Sequence, residues 1–520
     1  MKNSTKNRLY LPAILTSLAV ITAGSARAQT PPVLHNFSNG DGTFPYASLI
    51  LSGNTLFGTT AQGGTERYGT VFAMKIDGTG FTNLHNFSGF SDTGITTTNT
   101  DGGYPYGGLV LSGSTLYGAT AGGGTSVVGM VFAINTDGTG FTNLHSFSDV
   151  QYPYFTNQDG LRPYAELVVS GSRLYGTTTQ GGSRTGGTVF ALNTDGRDFT
   201  TLHSFGGGDG AGPHAGLIIS GTTLYGTTSG GSGTVFALQT DGTGFTNLYN
   251  FTATTAYPGP YTNSDGAKPS ASMVLSDDSN TLYGVTTGGG SSGNGTIFAI
   301  QTDGTGFTNL YNFTATPPYP EPYTNRDGAI PYGRLILSGH TLYGTTTRGG
   351  SSGGGTVFAI HTNGIGMTTL YSFAGGPSST NGAYPHGEYP YAGLILTNTT
   401  LYGTTTEGGA FGGTIFSLPL GPELTISPSG ADVVLTWATN FNGFIYEGVY
   451  YDGFTLQSAT SLFSPTAWST VSSVPVVVNG QNTVTDTIAD PQRFYQLSPP
   501  PCWPPPTGSG YRCVNGVWTK

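Results

Sequence analysis

Two glutamates, Glu66 and Glu407, have the placement that would suit catalysis. They lie in Gly-rich loops near the two ends of a long repetitive region. If that region closes into a ring, its first and last units become neighbours, and both carboxylates can face one substrate. Glycoside hydrolysis requires two carboxylates at a defined separation. We therefore take Glu66 and Glu407 as candidate catalytic residues, in a sequence that shows no nucleophile elbow, zinc-binding pattern or phosphate-binding loop.

A second set of acidic residues recurs in the phrase Asn-x-Asp-Gly. Carboxylate, amide and carbonyl oxygens suit Ca²⁺, so these aspartates are candidate calcium ligands. Each loop supplies one carboxylate, however, and the phrase also suits an Asx turn that leads into a glycine at positive φ. The turn is the interpretation we favour, and in the last junction Asn381 is the expected equivalent. The calcium candidates are Asp101, Asp159, Asp265 and Asp327.

Three long loops carry Tyr and Pro together, as in "YPYFTNQDG". Tyr presents a large flat face with a hydrogen-bonding tip, and binding concentrates on loops that a rigid scaffold presents. These tyrosines are therefore candidate contacts for a glycan or a peptide. The alternative is that they pack the loops onto the scaffold. The candidates are Tyr152, Tyr154, Tyr257, Tyr261, Tyr319 and Tyr323.

Histidines recur in the phrase Leu-His-x-Phe, and Tyr replaces them in later copies. Because Tyr is a poor substitute for an imidazole ligand, we expect these rings to pack and not to bind metal. The histidines are His35, His85, His145 and His203, and the tyrosines are Tyr249, Tyr311 and Tyr371.

All these residues belong to a unit that recurs seven times, at intervals of 50 to 60 residues. Each unit holds "TLYGTT" or a close variant, followed by "GTVF", "GTIF" or a close variant. Four strands can be placed in the second unit: A at Gly108–Gly113, B at Thr115–Thr120, C at Gly129–Ile134 and D at Phe141–Phe147. Short Gly turns join A to B and C to D. Consecutive apolar residues in strands A and C indicate cover on both faces, as stacked propeller blades provide.

The seventh unit ends after strand C, and the chain begins with an isolated strand D. The seventh unit has strands at Tyr391–Thr397, Thr400–Thr405 and Gly413–Leu418, and the orphan strand is Val33–Phe37. Pairing between them would close the ring and remove exposed sheet edges. The sequence therefore predicts an all-β fold, namely a seven-bladed β-propeller closed by an N-terminal strand and followed by a small β-sandwich.

The units resemble the tandem GloVer repeats of exported bacterial proteins, in which "PYxxLxLSGxTLYGTTxxGGxxGxGTVFxxxTDG" recurs. The resemblance covers about residues 33 to 420. It implies placement outside the cell or at its surface, with varied anchoring modules. It implies no established activity.

Residues 1–28 are predicted to be a signal peptide, with a basic start, an apolar run from Leu9 to Gly24 and small residues before Gln29. Removing the four leader cations leaves 13 Lys and Arg against 27 Asp and Glu. This balance argues against nucleic acid as a partner and against an anionic membrane surface. We expect a secreted or cell-surface protein, with the periplasm also open. We expect no membrane insertion after signal cleavage and no cofactor.

The predicted domains are a propeller at 29–421, a sandwich at 422–498 and a Pro-rich tail at 499–520. Strands around "VVLTWAT" and "AWSTV" resemble fibronectin type III or immunoglobulin-like modules, although the insertion "FNGFIYEGVYYD" departs from that pattern. The chain has two cysteines, Cys502 and Cys513. In an exported protein they are predicted to form a disulfide.

Three functions are consistent with this organisation. The leading hypothesis is a propeller that acts as a binding or structural module for a glycan or another protein. The alternative is a carbohydrate-active enzyme, a hydrolase or lyase, with acidic residues on the face that carries the D–A and B–C loops. A coat protein that self-associates is the third. Side chains differ little from unit to unit, whereas catalysis needs an asymmetric cluster, so we favour binding.

Overall fold

The computed structural model describes residues 33–89, 91–92, 97–149, 156–255, 261–317, 324–375, 386–397, 400–409 and 412–420, and the strands between residues 425 and 519. The predicted signal peptide lies outside the described residues. Within them, the 3₁₀ turn Gly207–Asp209 is the single helical element. None of the described segments forms a helix with the length and apolar character needed to span a bilayer.

Seven four-stranded antiparallel sheets form the blades of a β-propeller, and each sheet has the strand order A-B-C-D. Strand A spans Ile50–Ser52, Val110–Ser112, Val168–Ser170, Ile218–Ser220, Val274–Leu275, Ile336–Ser338 and Ile395–Thr397 in blades 1 to 7. Strand B spans Thr55–Thr60, Thr115–Thr120, Arg173–Thr178, Thr223–Thr228, Thr281–Thr286, Thr341–Thr346 and Thr400–Thr405. Strand C spans Thr70–Lys75, Met130–Asn135, Thr188–Asn193, Thr234–Gln239, Thr296–Gln301, Gly353–His361 and Thr414–Pro419. Strand D spans Thr82–Asn86, Thr142–Ser146, Thr200–Ser204, Thr246–Asn250, Thr308–Asn312, Thr368–Ala374 and, in blade 7, Val33–Asn36.

Strands B and C form the interior of each blade. In blade 3, strand C is buried along five consecutive residues from Thr188, because neighbouring blades cover both of its faces. Its pairing with strand D shifts register between Val189 and Phe190. A bulge of this kind increases the local twist of a sheet, and it recurs between strands C and D of the other blades.

The N-terminal strand closes the ring, as the sequence predicts. Val33–Asn36 pairs antiparallel with Thr414–Pro419, with His35 opposite Ile415. The next residue, Phe37, is fully buried, and its N–H donates to the Gly413 carbonyl at 3.0 Å. Blade 7 is therefore completed by the first strand among the described residues.

Seven buried clusters, one for each pair of adjacent blades, form the core among the described residues. The cluster between blades 7 and 1 joins Tyr402 and Ile415 to Leu56 and Phe72. An open row of seven blades would have six such interfaces. The seventh interface shows that hydrophobic burial, as well as strand pairing, holds the ring shut.

Further strands lie outside the seven blades. A three-stranded sheet at the junction of blades 1 and 2 was not anticipated, and it consists of Ser91–Asp92, Thr97–Gly103 and Gly122–Gly124. Past the propeller, one sheet contains Thr425–Ser429, Asp432–Ala438, Val476–Val478 and Gln481–Thr487, and another contains Thr455–Ala459, Ser469–Thr470 and Phe494–Ser498. Two hairpins pair Phe444–Tyr446 with Val449–Tyr451 and Arg512–Val514 with Val517–Thr519.

The first of these hairpins falls in the insertion that departs from the sandwich pattern. The fibronectin-type assignment and the domain boundaries stay predictions. Cys502 lies outside the described residues, so its pairing with Cys513 also stays a prediction.

Candidate functional site

The recurring aspartates accept hydrogen bonds from residues in and just after strand D. His145 Nε2 lies 3.2 Å from Asp159 Oδ2, and the Ser148 N–H donates to the same oxygen at 2.9 Å. Burial by itself raises the pKa of Asp159, but the hydrogen bonds from His145 and Ser148 outweigh it and hold the pKa below its ordinary value. Equivalent pairs are His35–Asp41, His85–Asp101, His203–Asp209, Tyr249–Asp265 and Tyr311–Asp327.

These contacts account for the recurrence of the aspartates within the fold. In the part of the chain that the structure describes, no three His, Cys, Asp or Glu side chains are grouped so that they could hold a metal ion. The rings of strand D also pack between blades, as expected. His145 stacks on Phe199 of the next blade with a centroid distance of 3.7 Å, and Tyr249 stacks on Phe307 in the same way at 3.8 Å.

The junction before blade 7 differs from the other six. Its bridge between Glu388 and Glu407 corresponds to the bridges of the other junctions, which places His386 where they carry Asp. The expected equivalent, Asn381, lies outside the described residues. Among the residues described, the Nδ1 atom of His386 is buried with no hydrogen-bond partner. The sequence signal was the phrase His-Gly-x-x-Pro, which has the spacing of Asp-Gly-x-x-Pro.

The candidate catalytic residues Glu66 and Glu407 are both exposed and lie at different blade junctions. The charge of Glu407 contributes to the raised pKa of Tyr46 and Tyr391, near the axis. A β-carbon built on Gly89 would lie 3.6 Å from the Glu66 carboxylate, which places Glu66 beside the junction of blades 1 and 2. Among the described residues, no hydrogen bond joins the two glutamates.

The Tyr/Pro loops lie mostly outside the described residues. Of the six predicted contacts, the structure describes Tyr261, whose exposed fraction of 53% leaves most of its ring open to solvent. Tyr152, Tyr154, Tyr257, Tyr319 and Tyr323 are not among the described residues. Their proposed contact with a ligand stays a prediction.

A ring of aromatic side chains surrounds the mouth of the central channel. The residue after the Pro that precedes each strand A supplies it: Tyr46, Tyr106, Tyr164, His214, Tyr332 and Tyr391, which we call the aromatic collar. Blade 5 contributes Ser270 at this position. From Tyr332 the rings contact in succession through Tyr391, Tyr46, Tyr106 and Tyr164 to His214, with centroid distances of 5.1 to 5.8 Å.

The backbone that carries the collar is held in an uncommon conformation. Two residues before each collar position, φ is positive, and six of these residues are not glycine: Phe44, Tyr104, Arg162, Lys268, Ile330 and Tyr389. The Tyr104 N–H donates to the Tyr68 carbonyl of the preceding blade at 2.8 Å, and the Tyr104 carbonyl accepts from the Ala121 N–H at 3.1 Å. A left-handed residue other than glycine costs about 1 to 2 kcal/mol, and such strain clusters at functional sites.

An ion pair crosses the channel beneath the collar, two residues further along the chain. Arg334 Nη1 donates to Glu166 Oε1 at 2.9 Å and so links blade 6 to blade 3. The equivalent glycines make room, since a β-carbon on Gly108 would lie 3.2 Å from Glu166 Oε2 and one on Gly393 would lie 2.7 Å from Arg334 Cγ. The collar and this ion pair line an open cavity of about 290 Å³. The cavity thus has aromatic walls and a polar floor.

The repeats that build these walls match a known family. The model of the Gloeobacter/Verrucomicrobia repeat aligns with residues 20–154, 93–262 and 259–427. The chain belongs to the Gloeobacter/Verrucomicrobia repeat family. The resemblance that the repeated motif suggested is thereby confirmed, and no curated protein matches the chain.

Solved structures similar to this Gloeobacter/Verrucomicrobia repeat protein include the GH74 enzyme of Niastella koreensis, with 14% identity, a TM-score of 0.45, and coverage of 91% of this chain and 73% of that one. An oligogalacturonate lyase in complex with manganese has 11% identity, a TM-score of 0.42, and coverage of 73% and 90%. The nidogen/laminin complex has 14% identity, a TM-score of 0.30, and coverage of 53% and 82%. Similarity at these values carries no information on activity.

Four collar residues of this Gloeobacter/Verrucomicrobia repeat protein have pKa values shifted toward the neutral form. Burial, together with the neighbouring Tyr391, Tyr106 and Glu407, raises the pKa of Tyr46 to about 12. Burial also raises the pKa of Tyr106 and Tyr391. Partial removal from water lowers the pKa of His214. The phenols of Tyr46, Tyr106 and Tyr391 therefore keep their protons at neutral pH.

Sequence reasoning missed the collar in these repeats, although a signal was present. The Pro-Tyr phrase recurs before strand A, but His214 and Ser270 replace Tyr in two units. Two residues later, Glu166 and Arg334 replace the Ser or Gly of the other units. Departures from the repeat at a fixed position mark the place where the ring is asymmetric.

The shifted pKa values predict that the folded protein is most stable between about pH 7 and 9. Burial lowers the pKa of His35, His203 and His214 below 6.5, so below pH 6.5 the unfolded chain binds more protons and stability falls. The lowered pKa of Asp101 and Asp159 adds a further loss as pH falls through 3.8. Raised tyrosine pKa values, such as that of Tyr249 at about 12, cause a loss above pH 10.

Thermal unfolding followed from pH 3 to 11 measures this profile. We expect the Tm to decrease on both sides of the plateau. Asp159→Asn should reduce the loss below pH 4 and leave the alkaline limb unchanged. A Tm that stays constant from pH 4 to pH 7 would contradict the assignment of the histidines.

Proposed function

We propose that this protein is an exported carbohydrate-binding propeller whose binding site is the aromatic collar and the floor beneath it. The observation that carries the proposal is the joining of aromatic walls and a Glu166–Arg334 floor in one cavity on the propeller axis. Export rests on the predicted signal peptide. The sequence left open a glycan or another protein as the ligand of a binding or structural module. Of these two ligands, we propose a glycan.

The chemistry of the cavity favours a sugar ring. A pyranose has apolar C–H faces and a rim of hydroxyl groups. Tyr rings offer flat apolar surface with a hydroxyl at the edge, and the floor offers a carboxylate oxygen and guanidinium donors. Among the described residues, Arg334 Nη1 donates to Glu166, and Arg334 Nε is buried with no hydrogen-bond partner.

The size of the cavity also favours a small ring. Ligand pockets for drug-sized molecules extend from about 300 to 1,000 Å³. The cavity of about 290 Å³ lies at the lower end of that range and suits one or two sugar residues.

The arrangement of acids favours binding over hydrolysis. A glycoside hydrolase of the usual kind needs two carboxyl groups beside the scissile bond. In the cavity lining that the structure describes, Glu166 is the single carboxylate, and it is committed to Arg334. Glu407 lies outside that lining, as does Glu66. The enzyme hypothesis therefore has less support than the binding hypothesis.

Tyr332→Ala is expected to weaken glycan binding about tenfold, which corresponds to about 1.4 kcal/mol. Tyr332 is 40% exposed, so its loss should leave the fold intact. A glycan array with the full-length chain identifies the ligand, and calorimetry with that ligand measures the affinity. The matched control is Tyr261→Ala, which removes an exposed tyrosine of the Tyr/Pro loops and should have no effect.

The outcomes separate the hypotheses. Loss of binding in Tyr261→Ala alone would move the site to the Tyr/Pro loops. The release of reducing sugar by the wild-type chain, abolished in Glu166→Gln, would show an enzyme. If the array shows no glycan binding and the chain self-associates, the architectural hypothesis replaces this one.

A further inference from the structure

An open groove lies between blades 5 and 6, at the strand D edge of the blades. Its volume is about 680 Å³, within the range of about 300 to 1,000 Å³ that pockets for small molecules occupy. Strand D of blade 5 contributes Tyr311 to its lining, and the C–D turn of blade 6 contributes Ile365 and Met367. None of its described lining residues belongs to the aromatic collar, so the groove is separate from the cavity on the axis.

The C–D turn of blade 6 lacks an aromatic ring that five other blades supply. In those blades a phenylalanine of this turn stacks on the strand D ring of the preceding blade, with centroid distances of 3.7 to 3.9 Å and interplanar angles of 1 to 7°. Met367 occupies the position of that phenylalanine. Among the described residues, the ring contact of Tyr311 is an edge contact with Phe313 of its own blade, and no ring stacks on its face. The five phenylalanines are Phe81, Phe141, Phe199, Phe245 and Phe307.

Two further departures from the repeat lie in the same lining. Ile365 replaces a threonine that four other units carry, and it adds apolar surface two residues before Met367. Arg326 occupies the position before the recurring aspartate, where the other units have Gly, Thr, Gln or Ser. Arg326 is exposed, and no acidic group among the described residues forms an ion pair with it. The groove therefore combines an aromatic face, apolar side chains and a cation.

The acidic residue of the lining, Asp327, is already bound within the fold. It is buried, and it accepts hydrogen bonds from the Tyr311 hydroxyl at 2.7 Å and from the Thr314 N–H at 2.9 Å. A cationic ligand would have to compete with these donors for the carboxylate. An anionic ligand would meet the exposed Arg326, so the charges of the groove favour an anion.

We propose that this groove binds a small aromatic carboxylate, with the ring of the ligand on the face of Tyr311 and its carboxylate on Arg326. The five equivalent junctions show that a phenyl ring fits against the strand D ring at this position. Stacked aromatic pairs are favourable, and a guanidinium forms strong charge-assisted hydrogen bonds with a carboxylate. This site is additional to the collar and does not depend on the proposed function.

The experiment fills the groove with Met367→Phe. This substitution restores the residue that five other blades carry, so the variant should fold, and its thermal unfolding checks that it does. The control Met367→Leu keeps an aliphatic side chain of similar volume. A second variant, Arg326→Gln, removes the cation. The probes are cinnamate and its uncharged amide, cinnamamide, measured by calorimetry against the full-length chain.

We expect the wild-type chain and Met367→Leu to bind cinnamate, and Met367→Phe to bind it about tenfold more weakly. The wild-type chain should bind cinnamate about tenfold more tightly than cinnamamide, and Arg326→Gln should remove this preference. Failure of the wild-type chain to bind cinnamate, or equal binding of both probes, would overturn the inference. Wild-type affinity in a folded Met367→Phe would also overturn it. If Tyr332→Ala then lost cinnamate binding, the probe would be assigned to the collar instead.

Discussion

Deletion of the N-terminal strand should unfold the propeller. Val33–Asn36 is the fourth strand of blade 7, and Phe37 after it is fully buried against Phe72 of blade 1. Without the strand, blade 7 loses its pairing to Thr414–Pro419, and the interface between blades 7 and 1 loses an aromatic residue. Replacement of a buried Phe by Ala alone costs about 3 to 5 kcal/mol. The deletion removes more than this, so we expect loss of the cooperative thermal transition.

A matched pair of point variants tests whether the closing strand is as firmly held as an ordinary one. Phe37→Ala is compared with Phe205→Ala, which removes the equivalent fully buried side chain of blade 3. If the ring is closed, both variants should lower the free energy of unfolding by about 3 to 5 kcal/mol, measured by denaturant titration. A cost below about 1 kcal/mol for Phe37→Ala, with the full cost for Phe205→Ala, would show that the terminal strand contributes little.

Gly226→Val is expected to overpack the interior of blade 4. Gly226 in strand B pairs with Phe236 in strand C, and the aromatic ring lies over the glycine. A β-carbon at Gly226 would come within 2.5 Å of Phe236 Cζ and 2.8 Å of Leu217 Cδ2. Overpacking of a core costs about 1 to 3 kcal/mol and occasionally more. We expect about 3 kcal/mol here, because both contacts are with fully or nearly fully buried side chains.

The cause can be tested by a double-variant cycle. Gly226→Ala should be less harmful in the presence of Phe236→Leu, since the shorter side chain vacates the space over the glycine. The control Gly221→Asn changes a glycine in the A–B turn, where an added β-carbon meets nothing within 4 Å and φ is +59°. Asn tolerates that conformation, so the control should retain nearly wild-type stability. Strict additivity in the cycle would refute the steric explanation.

Glycine and phenylalanine recur together in all seven blades because the ring of the phenylalanine occupies the space that a side chain at the glycine would need. The glycine of each "TLYG", "TLFG" or "RLYG" phrase lies opposite the phenylalanine of the strand C phrase, as Gly58 lies opposite Phe72 in blade 1. The sequence shows both motifs, but not that one makes room for the other. Cross-strand contact depends on register, and the register was not specified by the motifs alone.

The sequence by itself determined the number of blades, the strand order and the closure. These follow from local rules. Short glycine turns join neighbouring strands, and apolar residues repeat with the period of a covered strand. The seventh unit lacks strand D, and the isolated N-terminal strand supplies it. Strand B of blade 2 was predicted at its observed bounds, Thr115–Thr120, whereas strand A was predicted longer than the observed Val110–Ser112.

Only the tertiary structure decided where a ligand could bind. The collar takes one residue from each of six blades, and its floor joins two residues that are 168 positions apart. The hydrogen bond from the Gly393 N–H to Ser48 Oγ spans 345 positions. No local pattern encodes such pairs, because closure of the ring brings them together. The departures from the repeat could be read in the sequence, but their convergence on one cavity is a property of the ring.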